Sequence, residues 1–269
     1  MGLLVRESLR KLRNNMEVFL NRVDGIDDSI ISMFLSKRTL TRELEMDIRN
    51  ETLKCSNMNY DGVTPLGALQ DNLSEKMEDW LAKLFKWGVK HYTMLRFIDL
   101  SFTVYGLHRA GQDDIDAHAM RMNNRIIRSS TRLADFSRGE TSEYYADKII
   151  PTDVALAALG ITTPDEIEYN GKTYVRAVNG YVQKGMENNK DVKRGLYMLS
   201  IPSNFIFRIQ LTEFAHVYKE RNINGGANPE VKTSVESMAT QVDNATHGFA
   251  NRDLMFACLL YTSPSPRDR

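Results

Sequence analysis

Residues 121–145 read RMNNRIIRSSTRLADFSRGETSEYY. Within them Arg121, Arg125, Arg128 and Arg132 recur at intervals of four, three and four, so a helix would carry all four guanidinium groups along nearly one line. Like charges at these spacings repel by roughly 0.2–0.5 kcal/mol per pair, which a bound phosphate would relieve. Acidic side chains of neighbouring segments pairing on a solvated surface would relieve it equally. The stripe runs directly into a polar segment that contains Ser137, Glu140, Ser142 and Tyr145.

Upstream, Ile98, Leu100, Phe102 and Val104 alternate with Asp99, Ser101 and Thr103, the two-residue period of a strand with one buried face. Asp113 to Leu133 returns to a helical period through Ile115, Ala119, Met122 and Ile126, with Asp113, Asp114 and Asp116 placed for its first turn. Earlier still, Asn72 and Glu75 form a capping pair ahead of Met77, Trp80, Leu81 and Leu84, and Gly88 marks the stop. An amphipathic stretch from Leu3 to Val23 predicts another helix, and 57–67 is rich in turn formers.

Downstream, Asn170-Gly171 sits between two short runs of strand character, a hairpin signal because both turn positions need positive φ. Phe205 to Ile209 predicts a strand, followed by a helix through Leu211, Phe214, Tyr218 and Arg221. Asn228-Pro229 opens a further helix carrying Val231, Val235, Met238 and Val242. Gly225-Gly226 before it reads as a turn rather than a phosphate cradle.

Composition excludes several classes. The chain has 269 residues, 42% of them hydrophobic, and no apolar run long enough to span a bilayer. With 35 basic and 35 acidic residues it has no overall field for gripping a nucleic-acid backbone, which argues against reading the arginine stripe as part of a nucleic-acid-binding module. Cys55 and Cys258 stand outside any CxxC spacing, and no HExxH pair occurs, so neither a disulfide framework nor a metal site is expected. A reducing cytoplasm, the protein's own or a host's if the source is viral, fits that cysteine usage.

The segment Arg132 to Tyr145 resembles, in register, the signature RHRxxSxNExSxRY of flavin-dependent thymidylate synthases: Arg132, Ser137, Glu140, Ser142 and Tyr145 match. Leu133 and Ala134 stand where the family has His and Arg, Gly139 where it has Asn, and Tyr144 where it has Arg. FTVYG (102–106) is similar to the family's FTF strand, and QLTEFAHVYKER (210–221) to its NxRxxxHFxxxR helix, aligning Gln210, His216 and Arg221, with Thr212 at an arginine position. ANPEVK follows at the usual distance in place of AQxEIR.

The resemblance implies an α+β fold, a single mixed domain over 1–258 with a central, mostly antiparallel sheet flanked by helices. It implies reductive methylation of dUMP to dTMP with FAD as cofactor and NADPH and methylenetetrahydrofolate as co-substrates, in a homotetramer with shared active sites. By carry-over Ser142 and Arg221 are catalytic. Arg132, Glu140, Ser142, Tyr145 and Arg221 bind substrate, and Arg132, Ser137, Gln210 and His216 line the cofactor. The lost His-Arg pair leaves room for a related flavoenzyme that alters a pyrimidine nucleotide otherwise, for example by hydroxymethylation. The last residues, LLYTSPSPRDR (259–269), resemble translated sequencing adapter rather than native protein.

Overall fold

Strand β2 (Asp99–His108) follows from its alternation: Leu100, Phe102 and Val104 are wholly buried while Asp99, Ser101 and Thr103 face outward. The same rule builds β7 (Pro202–Gln210), whose Phe205, Phe207 and Ile209 point inward. A computed structural model describes residues 16–88, 91–118, 125–130, 142–145, 148–150, 152–177, 179–224 and 226–251. With β1 (Glu17–Asp24) and β3 (Arg125–Arg128), these strands form a four-stranded sheet in the order β1-β2-β7-β3. A second, antiparallel sheet joins β4 (Glu166–Tyr169), β5 (Lys172–Ala177) and β6 (Gly180–Gln183). The architecture is mixed helix and sheet, the expected α+β class.

The chain divides into two compact units, one of residues 18–104, 113–127 and 206–269, the other of 1–17, 105–112 and 128–205. In the first, the helices Ile26–Ser36, Arg42–Cys55, Glu75–Gly88 and Pro229–Ala245 supply Ile30, Met33, Ile48, Met77, Leu81, Val235 and Met238 to the core. Phe102 anchors it, with Phe207 stacked at 6.4 Å and Phe214 tilted at 5.6 Å between ring centroids. Gln241 ties the last helix to the sheet edge: its Nε2 donates to the Val18 carbonyl (2.9 Å), and its Oε1 accepts from the Leu20 N–H (2.7 Å). Gly25 precedes the helix Ile26–Ser36 at φ 78, where a Cβ would lie 2.0 Å from the Phe97 carbonyl oxygen, so only glycine fits.

In the second unit, Asn170 (φ 50) and Gly171 (φ 68) make the expected hairpin turn between β4 and β5. The helix predicted after Asn72 is present as Glu75–Gly88 in the first unit, but its start is held by Ser74, whose Oγ accepts from the Met77 N–H at 3.2 Å.

Two expectations are overturned. Residues 3–15 of the predicted helix Leu3–Val23 lie outside the described residues, and its last part falls in strand β1, where the backbone of Val18 and Leu20 is met by the Gln241 clamp rather than by local helical bonds. The predicted helix Asp113–Leu133 is divided. A helix spans Arg109–His118, so Asp113, Asp114 and Asp116 lie in its middle rather than its first turn, and Arg125–Arg128 is strand.

A two-residue period places Arg125 and Arg128 on opposite faces, and the line of guanidinium groups does not form there. Repulsion is relieved by separation. Arg125 pairs with Asp99 at 2.6 Å, and Arg128 Nη2 reaches the Gln112 carbonyl at 3.4 Å. Arg121 and Arg132 lie outside the described residues.

Among the described residues no helix is long and apolar enough to cross a membrane. Phe102→Ala is expected to cost about 3–5 kcal/mol, measured as a lower urea midpoint with an unchanged slope.

Candidate functional site

The helix Leu211–Tyr218 grows directly out of β7, with Gln210 as the junction residue, and runs into a π-helical turn, Lys219–Ile223, closed by the Asn224 N–H to the Lys219 carbonyl at 3.0 Å. This continuity sets Gln210, Thr212, His216 and Arg221 on one element. In an unbroken α-helix Arg221 would stand about 140° round the axis from His216; the wider turn brings it back toward that face. Such single-turn widenings occur frequently at functional sites.

Arg221 is held tightly. Its side chain is 12% exposed, Nη2 donates to the Asp114 carbonyl at 2.6 Å, and the Asp114 carboxylate lies 3.9 Å away. Its Nε is buried without a partner, as are Gln210 Oε1, Thr212 Oγ1 and Asn222 Oδ1 along the same element. A buried polar atom without a partner costs roughly 1–3 kcal/mol, so an element carrying four of them is a candidate for binding a group from outside the chain. His216 is half-buried on the same helix.

Ser142 and Tyr145 belong to the other unit. Ser142 is 1% exposed, its N–H donates to the Ser200 carbonyl at 2.9 Å, and its Oγ is buried without a partner. It opens the short 3₁₀ turn Glu143–Tyr145, in which the Tyr145 N–H returns to the Ser142 carbonyl at 3.0 Å. The Tyr145 ring meets His108 edge-on, centroids 5.0 Å apart at 88°, and Tyr144 likewise at 5.0 Å and 81°. His108 Nδ1 accepts from the Gly111 N–H at 2.9 Å, which assigns the ring proton to Nε2.

Of the residues singled out in the sequence, Gln210, His216 and Arg221 therefore share one element, Ser142 and Tyr145 share another, and Arg132, Ser137 and Glu140 lie outside the described residues. Sequence reading missed Asp114 as the partner of Arg221, because the contact is to a backbone carbonyl that no side-chain pattern announces. It also missed His108 beside Tyr145.

A cavity of about 650 Å³ lined by Asn57, Gln70, Asn72, Asn244 and His247 contains none of these residues and no lysine or arginine that could neutralise a phosphate. Because the short bond of Arg221 is to the carbonyl, Asp114→Asn is expected to change stability by less than about 0.5 kcal/mol in urea unfolding; a loss of several times that would assign the hold to the carboxylate.

No protein-family model matches the chain, and no curated protein does. Among solved structures, thymidylate synthase X from Helicobacter pylori with FAD and dUMP is similar at a TM-score of 0.50 and 11% identity, covering 90% of this chain and 99% of that one. A UMP/dUMP methylase from Streptomyces cacaoi bound with 5-Br dUMP is similar at a TM-score of 0.51 and 11% identity, covering 91% and 96%. These likenesses establish the fold: the chain folds as the flavin-dependent thymidylate synthases do.

Proposed function

We propose that the chain is a flavin-dependent enzyme acting on the pyrimidine ring of dUMP, and that the reaction is reductive methylation to dTMP with methylenetetrahydrofolate as carbon donor and NADPH recharging FAD. The observation that carries this reading is Arg221. A nearly buried guanidinium, fixed by a backbone carbonyl and offering an unpartnered Nε, stands at the position where the family resemblance expects the arginine that holds the base.

Gln210 Oε1 and Thr212 Oγ1 fit the proposed cofactor, since an isoalloxazine ring presents both an N–H and carbonyl oxygens to complementary groups. When bound, FAD supplies the two electrons of the reduction. The protein's part is positioning and polarisation. Arg221 would draw charge toward a base carbonyl in a site largely shut from water, Ser142 would flank the reacting carbons, and Tyr145 would stack on the nucleotide. His216 would face the flavin ring, with Ser137 and Gln210 alongside it, while Arg132 would contact the phosphate and Glu140 would bind the substrate elsewhere. Thr212 and Tyr144 hold positions that are arginine in the family, so fewer cations are left to neutralise the phosphate, and more of its recognition would fall to Arg132 and its neighbours. On this reading the active enzyme is a homotetramer whose sites are shared between subunits.

The test is the visible absorption of the purified chain with FAD, titrated with dUMP and, as a control, a purine nucleotide. Flavin bands that shift with dUMP alone are expected; absence of flavin binding would sink the reading. Arg221→Lys, which cannot reproduce the planar fork, is expected to weaken dUMP binding about tenfold or more while leaving FAD bound.

A further inference from the structure

Segment 199–203 runs beside two others in its unit: Ala110 N–H donates to the Leu199 carbonyl (3.0 Å), Arg109 N–H to Ile201 (3.1 Å), and Ser142 N–H to Ser200 (2.9 Å). Gln112 completes the junction, its Nε2 donating to the carbonyls of Leu107 (2.9 Å) and Ser203 (3.1 Å). At this meeting of three segments, four buried side-chain atoms have no partner: Gln112 Oε1, Ser142 Oγ, Ser200 Oγ and Ser203 Oγ. Their residues are 0%, 1%, 5% and 5% exposed. One such atom is unremarkable in a folded protein; four on residues joined by these bonds single the junction out.

Their chemistry restricts what could complete them. Both N–H groups of Gln112 are spent on carbonyls, so its orientation is fixed and Oε1 is an acceptor that needs a donor. The three hydroxyls can give or take. A fully ionised phosphate brings acceptors only and would leave Gln112 Oε1 facing negative charge. Sugar hydroxyls, or the N–H flanked by carbonyls on a uracil edge, bring the mixture of donors and acceptors that Gln112 Oε1 and the three hydroxyls call for.

We propose that Gln112, Ser200 and Ser203 join Ser142 in a subsite for the uncharged, donor-and-acceptor part of the nucleotide. This rests on the pyrimidine-nucleotide reading above and extends it to three residues outside the family signature.

The test exploits a sign. Ser200→Ala and Ser203→Ala remove a buried unsatisfied hydroxyl, so each ligand-free variant is expected to melt roughly 2–4 °C higher than the parent. Each is also expected to bind dUMP about fivefold to tenfold more weakly by calorimetry in the presence of FAD. A hydroxyl that merely supports the fold would lower the melting temperature and overturn the proposal.

Variants that bind dUMP as the parent does would overturn the subsite while leaving the enzyme reading standing; a parent that binds neither dUMP nor UMP would end both. The remaining arms identify the group. Loss of a preference for dUMP over dCMP assigns the uracil edge, and loss of a preference for dUMP over 2′,3′-dideoxyuridine monophosphate assigns the sugar hydroxyl. Inorganic phosphate that competes with dUMP in the parent but not in the variants would overturn the assignment to an uncharged group.

Discussion

Phe102 is the residue around which the described sheet and helices are fixed. It faces Phe207 across the sheet and Phe214 on the helix that leaves β7, so one aromatic cluster sets both the pairing of the two inner strands and the departure of the helix bearing Gln210, His216 and Arg221. Because Phe102 and Phe207 are fully buried and β strands alternate, a one-residue slip of β7 would expose its apolar set and move Gln210 to the other face. The geometry of the candidate site is thus a by-product of core register.

The parts of the fold legible in the sequence are those whose signal is local. The alternation of Leu100, Phe102 and Val104, the Asn170-Gly171 turn and the Asn228-Pro229 helix start each contain their own explanation within a few residues. What the sequence misrepresented has its cause elsewhere in the chain. Arg125 and Arg128 share a helical spacing with Arg121, yet Arg125 lies against Asp99, 26 positions earlier. Residues 17–24 could have been a helix by period, and it is Gln241, more than two hundred residues on, that meets their backbone as a strand.

The candidate site divides in the same way. Ser142, Tyr145, Gln210, His216 and Arg221 were visible as motif positions, and the structure gives five of the expected residues an environment: two in one unit, three along one element of the other. That Gln112 and Ser203 are joined is invisible in sequence, for they are 91 positions apart and the bond is to a carbonyl. The widened turn carrying Arg221 is likewise unsignalled, since LTEFAHVYKERNI reads as an ordinary amphipathic helix. Both features depend on contacts or hydrogen-bond patterns that no local run of residues announces.

The Gln241 clamp has a bearing on how the margin of the sheet is closed. An outer strand normally presents a row of backbone donors and acceptors to any passing chain. Here β1 is the first strand of its sheet, yet the amide of Gln241 meets Val18 and Leu20, and the backbone of Leu66 meets Asn21 and Val23 at 3.0 and 2.8 Å. Those four backbone groups are engaged within the chain and are not open to a foreign strand.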